Sequence, residues 1–342
     1  MNPAPSIRAD DPLDVLPAVA TATAASIQDI DALLALGEPV LLKGAIDHWP
    51  ALAAAQSPGT FDAYLKERDS GAPVPVMEAP PSSGGRFGYA ADPREFSFTK
   101  RARPLGETLG RINRACSDPV SGYLAIQMLP LDTQMPAFLH DNVMPLVPPG
   151  ARPKLWLGGP VKTQIHNDRD HNLACVVAGR RRFVLFPPEQ VTNLYIGPLD
   201  NPPPLSFVNP EAPDLDAFPR FRDALEVARV AHLGPGDALL MPRYWWHHVS
   251  SRDAYNAMVN YWWGDSPAAL GDPHDAFLTA LLALKTLPPH ERAYWRAMFD
   301  LHVFGDEGAA HIPLTARGIL GAMAPAQRAA LKQRLRTAAL KS

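Results

Sequence analysis

The chain has 342 residues, enough for one large domain or two of ordinary size, and 46% of them are hydrophobic. A formal net charge of −3 gives no electrostatic reason to expect a nucleic acid or an anionic membrane as partner. Two cysteines are too few for a disulfide framework, and no apolar run is long enough to span a membrane. We therefore expect a cytoplasmic protein.

The first third of the chain predicts two regions. Residues 1–25 carry acids and prolines before any apolar stretch, which indicates a flexible arm. Residues 26–120 alternate short helical and extended patterns, for example a helical pattern that ends near Gly37 and an apolar strand over residues 39–42. We therefore expect an α/β extension that packs on the next domain.

Residues 121–268 have a different pattern. Short strand-like runs such as "NLACVVAG", "RRFVLF" and "NAMVNYWW" are separated by turns rich in Gly, Pro, Asn and Asp. This spacing favours a closed or double-layered antiparallel β architecture. Residues 269–342 turn helical, and the Leu and Ala stripes of "DAFLTALLALKTL" fit either a cover for the core or a dimer face.

The stretch "TQIHNDRDHN" contains a candidate half of a metal site. On a strand, His166 and Asp168 point to the same face. The stretch "YWWHHVS" offers a second histidine, and alternation allows only one of His247 and His248 to face inward. Two histidines and one carboxylate form the facial triad of non-haem Fe(II) oxygenases. Spacing alone leaves the alternative open that these histidines only stack among tryptophans.

Two blocks resemble one known family. The blocks "TQIHNDRDHNLACVVAGRRRFVLFPPEQ" and "GPGDALLMPRYWWHHVSSRDAYNAMVNYWW" are similar to the JmjC-like, cupin-type (cupin-8) Fe(II)/2-oxoglutarate oxygenases. That family includes the asparaginyl hydroxylase that inhibits hypoxia-inducible factor. Weaker similarity in "EPVLLKGAIDHWPAL" and "SFVNPEAPDLDAFPRF" extends the likeness over about residues 30–265. The resemblance implies a mainly β fold, with a double-stranded β-helix (jelly-roll) core, an N-terminal α/β extension and C-terminal helices.

The resemblance also implies a set of site residues. Fe(II) is bound by His166, Asp168 and His247, while His248 faces outward. The cosubstrate 2-oxoglutarate reacts with O2, and its far carboxylate is held by Arg181, Thr163 and Tyr123. The rest of the cosubstrate pocket is lined by Asn172, Asn260 and Trp262.

Arg181 departs from the family pattern, which usually has lysine at this position. Arginine keeps the charge and binds a carboxylate through two parallel hydrogen bonds, although a different keto acid is conceivable. Strand alternation turns the neighbouring Arg180 and Arg182 away from Arg181, and we expect these two to be surface charges.

The implied function is hydroxylation of a C–H bond with release of succinate and CO2, most simply on a protein or peptide side chain. A small-molecule hydroxylase and a non-catalytic metal-binding cupin remain as alternatives. Gln127 shares the predicted inward face of Tyr123, and His171 lies near the presumed mouth, so both are candidate substrate contacts. The helical tail resembles the family's dimerising helices, which predicts a homodimer.

Overall fold

Fourteen strands and ten helices occur in the part of the chain that the computed structural model describes, which is residues 11–23, 27, 29–118, 122–200, 203–264 and 271–339. The strands are β1 (Ala20–Thr23), β2 (Val40–Lys43), β3 (Val74–Ala79), β4 (Arg86–Phe87), β5 (Thr99–Arg103), β6 (Tyr123–Pro130), β7 (Arg152–Gly158), β8 (Lys162–Asn167), β9 (His171–Ala178), β10 (Arg181–Phe186), β11 (Arg229–Leu233), β12 (Ala238–Met241), β13 (Trp246–Ser251) and β14 (Asn256–Trp263). The helices are α1 (Ile30–Leu34), α2 (Pro50–Ala54), α3 (Pro58–Lys66), α4 (Leu105–Ser117), α5 (Leu131–Gln134), α6 (Pro136–Asp141), α7 (Phe221–Glu226), α8 (Pro273–Leu284), α9 (Pro289–His302) and α10 (Pro325–Ala339).

The strands form two sheets. The nine-stranded sheet has the order β1-β2-β12-β9-β14-β7-β6-β3-β5, and the five-stranded sheet has the order β11-β10-β13-β8-β4. The β1–β2 and β4–β8 pairs are parallel, and the other strand pairs are antiparallel. Between β8 and β14 the chain passes repeatedly from one sheet to the other, which confirms the predicted jelly-roll core.

The two sheets enclose one apolar layer. Val176 of β9 and Leu239 of β12 come from the large sheet, and Phe183 and Leu185 of β10 come from the small sheet. The opposite face of the large sheet packs against the N-terminal helices through a second cluster that includes Trp49. The α/β extension is therefore part of the same folded body as the strands that carry the site.

The outer face of the small sheet is also covered. Val184 and Phe186 of β10 pack there against Leu194 and Phe221, which belong to the long connection between β10 and β11. This alternation along β10 puts residues 181, 183 and 185 on the inner face and residues 182, 184 and 186 on the outer face.

The N-terminal segment is held on both sheets. Residues 1–25 were expected to be a flexible arm, but β1 pairs with β2 and the Val19 N–H donates to the Val230 carbonyl, 3.0 Å away. For residues 11–23 the structure therefore corrects the expectation, because their partners lie far away in sequence. Residues 1–10 and 24–25 lie outside the described residues.

The chain divides into two compact units, residues 1–264 and residues 265–342. The second unit contains α8, α9 and α10. Helices α8 and α9 have no buried residue, and Phe277, Leu282 and Phe304 are 48%, 85% and 75% exposed. In the described ranges, no helix is long and apolar enough to cross a membrane.

Candidate active site

Three side chains with metal-ligating atoms meet where β8 and β13 lie side by side. His166 and His247 are direct partners across the two strands, and their rings lie 4.3 Å apart. Asp168 follows the end of β8, and its Oδ2 is 3.9 Å from His247 Nε2. One ligand atom from each residue lies within 4.8 Å of the others. The structure thus brings together the three residues that the sequence predicted.

In both histidines the hydrogen bond uses Nδ1, so Nε2 is available to bind a metal. His166 Nδ1 lies 2.8 Å from the Gln164 carbonyl, and His247 Nδ1 lies 3.0 Å from the Trp245 carbonyl. Carbonyl oxygens only accept, so each Nδ1 carries the hydrogen and each Nε2 keeps its lone pair. Burial, together with the nearby His166, lowers the pKa of His247 to about 4, which keeps that ring neutral at neutral pH.

A cavity of about 580 Å³ opens beside this cluster. Trp156 and Trp262 form part of its wall with their rings edge to face, 6.1 Å between centroids. Its charged lining residues, apart from Asp168, are Arg152, Lys154, Arg169, Asp170 and Arg181. The cavity is therefore large enough for a small ligand together with part of a substrate.

Arg181 is the buried cation of this cavity. The residue is only 6% exposed, and within the described part of the chain its Nε has no hydrogen-bond partner. Burial lowers the pKa of Arg181 to about 10, so the group is still charged at neutral pH. An unpaired buried charge is costly, and an incoming carboxylate would remove that cost. Arg181 therefore fits a ligand with an acidic group.

Thr163 and Gln127 line a narrow crevice beside Arg181. The Val249 N–H donates to Thr163 Oγ1 over 3.3 Å. Gln127, expected at the substrate side, is 6% exposed and belongs to this crevice. Tyr123 is not among the described residues that line either space, and it packs instead in a cluster with Phe87.

β6 contains an irregularity that affects the position of Met128. The pairing of β6 with β7 shifts between Ile126 and Leu129, and Met128 has a φ of 59°. Met128 consequently reaches the wall of the large cavity, a position that simple alternation did not predict. A methionine in the left-handed region leaves no local sequence signal, because glycine or asparagine is the usual residue there.

Of the remaining predicted site residues, three line the cavity and one does not. Asn172, Asn260 and Trp262 line the cavity, as the resemblance implied. His171, a candidate substrate contact, is not among the described lining residues. Its ring accepts from the Arg243 backbone N–H at 3.2 Å and lies 6.0 Å from the Trp263 ring.

Two residues that the sequence placed on the outer face are buried. Arg182 was predicted to be a surface charge, which is wrong, because its fully buried side chain pairs with Asp11, Asp14 and Glu211. His248 does face outward, yet it is 2% exposed and its Nδ1–H donates to the Thr163 carbonyl over 2.6 Å. Acids from the N-terminal segment and from the β10–β11 connection cover this face.

The sequence of the chain matches one family of known proteins over most of its length. A family model described as a cupin-like domain matches residues 25–269. Over 257 residues the chain is 27% identical to the lysine-specific demethylase JMJ31 of Arabidopsis thaliana, which covers 66% of this chain and 46% of that protein.

Two animal proteins are similar over the same share of the chain. Over 243 residues it is 32% identical to Jumonji C domain-containing protein 5 of Drosophila melanogaster, covering 66% of this chain and 55% of that protein. Over 261 residues it is 26% identical to the human bifunctional peptidase and (3S)-lysyl hydroxylase JMJD7, covering 66% of this chain and 77% of that protein. The chain thus spans about half the length of the plant and fly relatives.

Proposed function

The chain belongs to the cupin-like domain family, and on that premise we propose that it is an Fe(II)- and 2-oxoglutarate-dependent oxygenase. The observation that carries the proposal is Arg181, a buried cation whose Nε has no partner among the described residues, in the same cavity as His166, Asp168 and His247. A metal triad alone would also fit a non-catalytic cupin, but that alternative gives no reason to keep an unpaired buried arginine beside it.

The chain supplies positions and charges for this reaction. His166, Asp168 and His247 hold the metal, and the carbonyls of Gln164 and Trp245 keep both imidazoles in the ligand tautomer. When bound, Fe(II) and 2-oxoglutarate supply O2 activation, which yields succinate, CO2 and an oxygen atom inserted into a C–H bond.

Arg181 provides the position for the second ligand. Arg181 binds the distal carboxylate of 2-oxoglutarate through charge-assisted hydrogen bonds, and Thr163 and Gln127 line the adjoining crevice. Trp156 and Trp262 form part of the apolar wall of the same cavity. Tyr123, which the resemblance assigned to the same carboxylate, has no part in this proposal because it packs elsewhere.

Hydroxylation of a protein or peptide side chain is the finer part of the proposal. It is supported by relatives whose names include a lysine-specific demethylase and a lysyl hydroxylase. The cavity wall includes Arg152, Lys154 and Arg169, side chains able to contact a substrate outside the reacting centre. A small-molecule substrate of the same mechanism is the alternative.

Binding of 2-oxoglutarate tests the proposal without a known substrate. With Mn(II) in place of Fe(II), calorimetry of the wild type is expected to show saturable binding. Arg181→Gln is expected to weaken it by about tenfold or more, because a charge-assisted pair is lost. Arg180→Gln is the matched control, since Arg180 faces outward and pairs with Asp253.

Two results would oppose the proposal. One is a wild type that takes up Mn(II) but no 2-oxoglutarate. The other is an Arg181→Gln variant that binds 2-oxoglutarate as tightly as the control.

A homodimer through the C-terminal helices stays a prediction. Its support is the exposure of Phe277 and Leu282 on α8, because large apolar side chains on a helix surface favour association.

A further inference from the structure

Three polar side chains form a hydrogen-bonded chain that leads from the cavity-facing side of the large sheet to the candidate metal site. Asn260 Nδ2 donates to Asn172 Oδ1 over 2.6 Å, and Asn172 Nδ2 donates to Asp168 Oδ2 over 3.0 Å. Asn260 belongs to β14 and Asn172 to the neighbouring β9. Asn172 is 2% exposed and Asn260 is 3% exposed.

The direction of this chain is fixed by chemistry. An ionised carboxylate can only accept hydrogen bonds, so Asn172 must turn its NH2 group toward Asp168. That leaves Asn172 Oδ1 facing Asn260, which must then donate with its own NH2 group. The reverse orientation of either amide would put oxygen against oxygen. The orientation of both amides therefore follows from the contact with Asp168.

The pair of buried asparagines leaves one polar atom unsatisfied, which is unfavourable for folding. The Asn260 Oδ1 atom is buried without a hydrogen-bond partner among the described residues. A buried unsatisfied amide oxygen is unfavourable, and two apolar residues in a sheet interior would avoid it. A role limited to packing does not explain two adjoining buried amides that end on a metal-ligating carboxylate.

We propose that Asn260 and Asn172 form a positioning relay that fixes the rotation of the Asp168 carboxylate before the metal binds. Asn172 holds one carboxylate oxygen, and Asn260 prevents the Asn172 amide from turning over. The two asparagines thus act on the metal through Asp168, whereas the family resemblance implied contact with the cosubstrate. The relay rests on the proposed function, because it requires Asp168 to be a metal ligand.

A double-mutant cycle on metal affinity tests the relay without catalysis. The variants are Asn172→Leu, Asn260→Leu and the double variant, which keep similar volume but cannot form the hydrogen bonds. Mn(II) affinity is measured by electron paramagnetic resonance of the free ion. Asn172→Leu is expected to weaken binding by about 10- to 100-fold, the usual effect of losing a group that orients a ligand.

The relay predicts strong coupling in this cycle. Asn260→Leu is expected to weaken Mn(II) binding when Asn172 is present and to have no further effect in the Asn172→Leu background. The visible spectrum of the Co(II)-loaded protein is expected to change in the same non-additive way, since it reports the geometry of the ligands. Met258→Leu is the matched control, because Met258 lines the same cavity on the same strand as Asn260.

The outcomes separate the relay from the proposed function. Additive effects of the two variants, or unchanged affinity in Asn172→Leu, would overturn the relay while leaving an enzyme that binds metal and 2-oxoglutarate. A wild type that takes up no Mn(II) would overturn both. Unfolding of each metal-free variant is followed as a folding control, and Asn172→Ala replaces Asn172→Leu in the cycle if the leucine variant is unfolded.

Discussion

Arg180, Arg181 and Arg182 follow one another in the chain and lie in three environments. Arg180 forms an exposed pair with Asp253, 2.5 Å apart. Arg181 faces the cavity, and Arg182 is buried on the other side of β10 among three carboxylates. Alternation along the strand puts Arg181 and Arg182 on opposite faces of the sheet. Carboxylates cover the outer face and pair with Arg182, whereas the inner face borders the cavity and leaves Arg181 for a ligand.

Arg182→Met is expected to destabilise the fold by about 3–5 kcal/mol, because it leaves Asp11, Asp14 and Glu211 without their shared buried cation. Arg180→Met is expected to cost about 0–1 kcal/mol, as befits an exposed pair. Urea denaturation at neutral pH measures both. Equal losses in the two variants would contradict the difference in burial described for them.

The sequence predicted that the three candidate metal ligands lie together and that Arg181 faces inward, but it did not predict the burial of Arg182. The inward direction of Arg181 follows from alternation along one strand, which is local information. The burial of Arg182 depends on Asp11 and Asp14, about 170 residues earlier, and their approach is a matter of tertiary structure. The residues next to Arg182 in the sequence therefore give no signal that it pairs with Asp11 and Asp14.

At the scale of elements, the turn between β9 and β10 determines where Arg181 lies. Gly179 in this turn has a φ of 69°, and a Cβ there would lie 2.6 Å from the Tyr255 carbonyl oxygen and 2.4 Å from Asn256 Oδ1. Glycine is therefore needed for the backbone conformation and for the space. The strands on either side of the turn carry Asn172 and Arg181, so its geometry sets two parts of the cavity wall.

Gly179→Ala is expected to destabilise the protein more than Gly37→Ala does. Gly37 has a similar φ of 71° but open space around its Cβ position, so that variant measures backbone strain alone, about 1–2 kcal/mol. The additional loss in Gly179→Ala measures the clash with residues 255 and 256. Urea denaturation of both variants provides the comparison, and equal losses would show that the close approach is relieved at no cost.

Strand and turn patterns predicted the jelly-roll core and, in the N-terminal extension, the strand at residues 39–42, which is β2 at Val40–Lys43. They did not predict the irregularity in β6, where Met128 adopts a positive φ. Tyr123 was expected at the cosubstrate because of the family resemblance, and Gln127 at the substrate because alternation puts it on the same face as Tyr123. A register shift moves side chains between faces, and it is determined by pairing with β7 rather than by the residues of β6.

At the scale of the whole molecule, every buried cluster of the described residues lies within residues 1–264, as do all the site residues. A fragment of residues 1–264 is therefore expected to fold and to bind Mn(II) as tightly as the full chain. Loss of metal binding in a folded fragment would show that the helical unit contributes to the site.

The same fragment tests the predicted homodimer. Light scattering is expected to give twice the chain mass for the full protein and a single chain mass for the fragment. A full-length monomer would contradict the prediction, and a dimeric fragment would move the interface to the first unit.

Succinate formation tests the central claim most directly. Purified protein is incubated with Fe(II), 2-oxoglutarate and O2, and succinate is followed by nuclear magnetic resonance in the wild type, His166→Ala, Asp168→Ala and the control Arg180→Gln. The account predicts succinate from the wild type and the control, at a slow rate without a substrate, and none above background from the two triad variants. Equal succinate from the triad variants, or none from a wild type that binds both Fe(II) and 2-oxoglutarate, would contradict it.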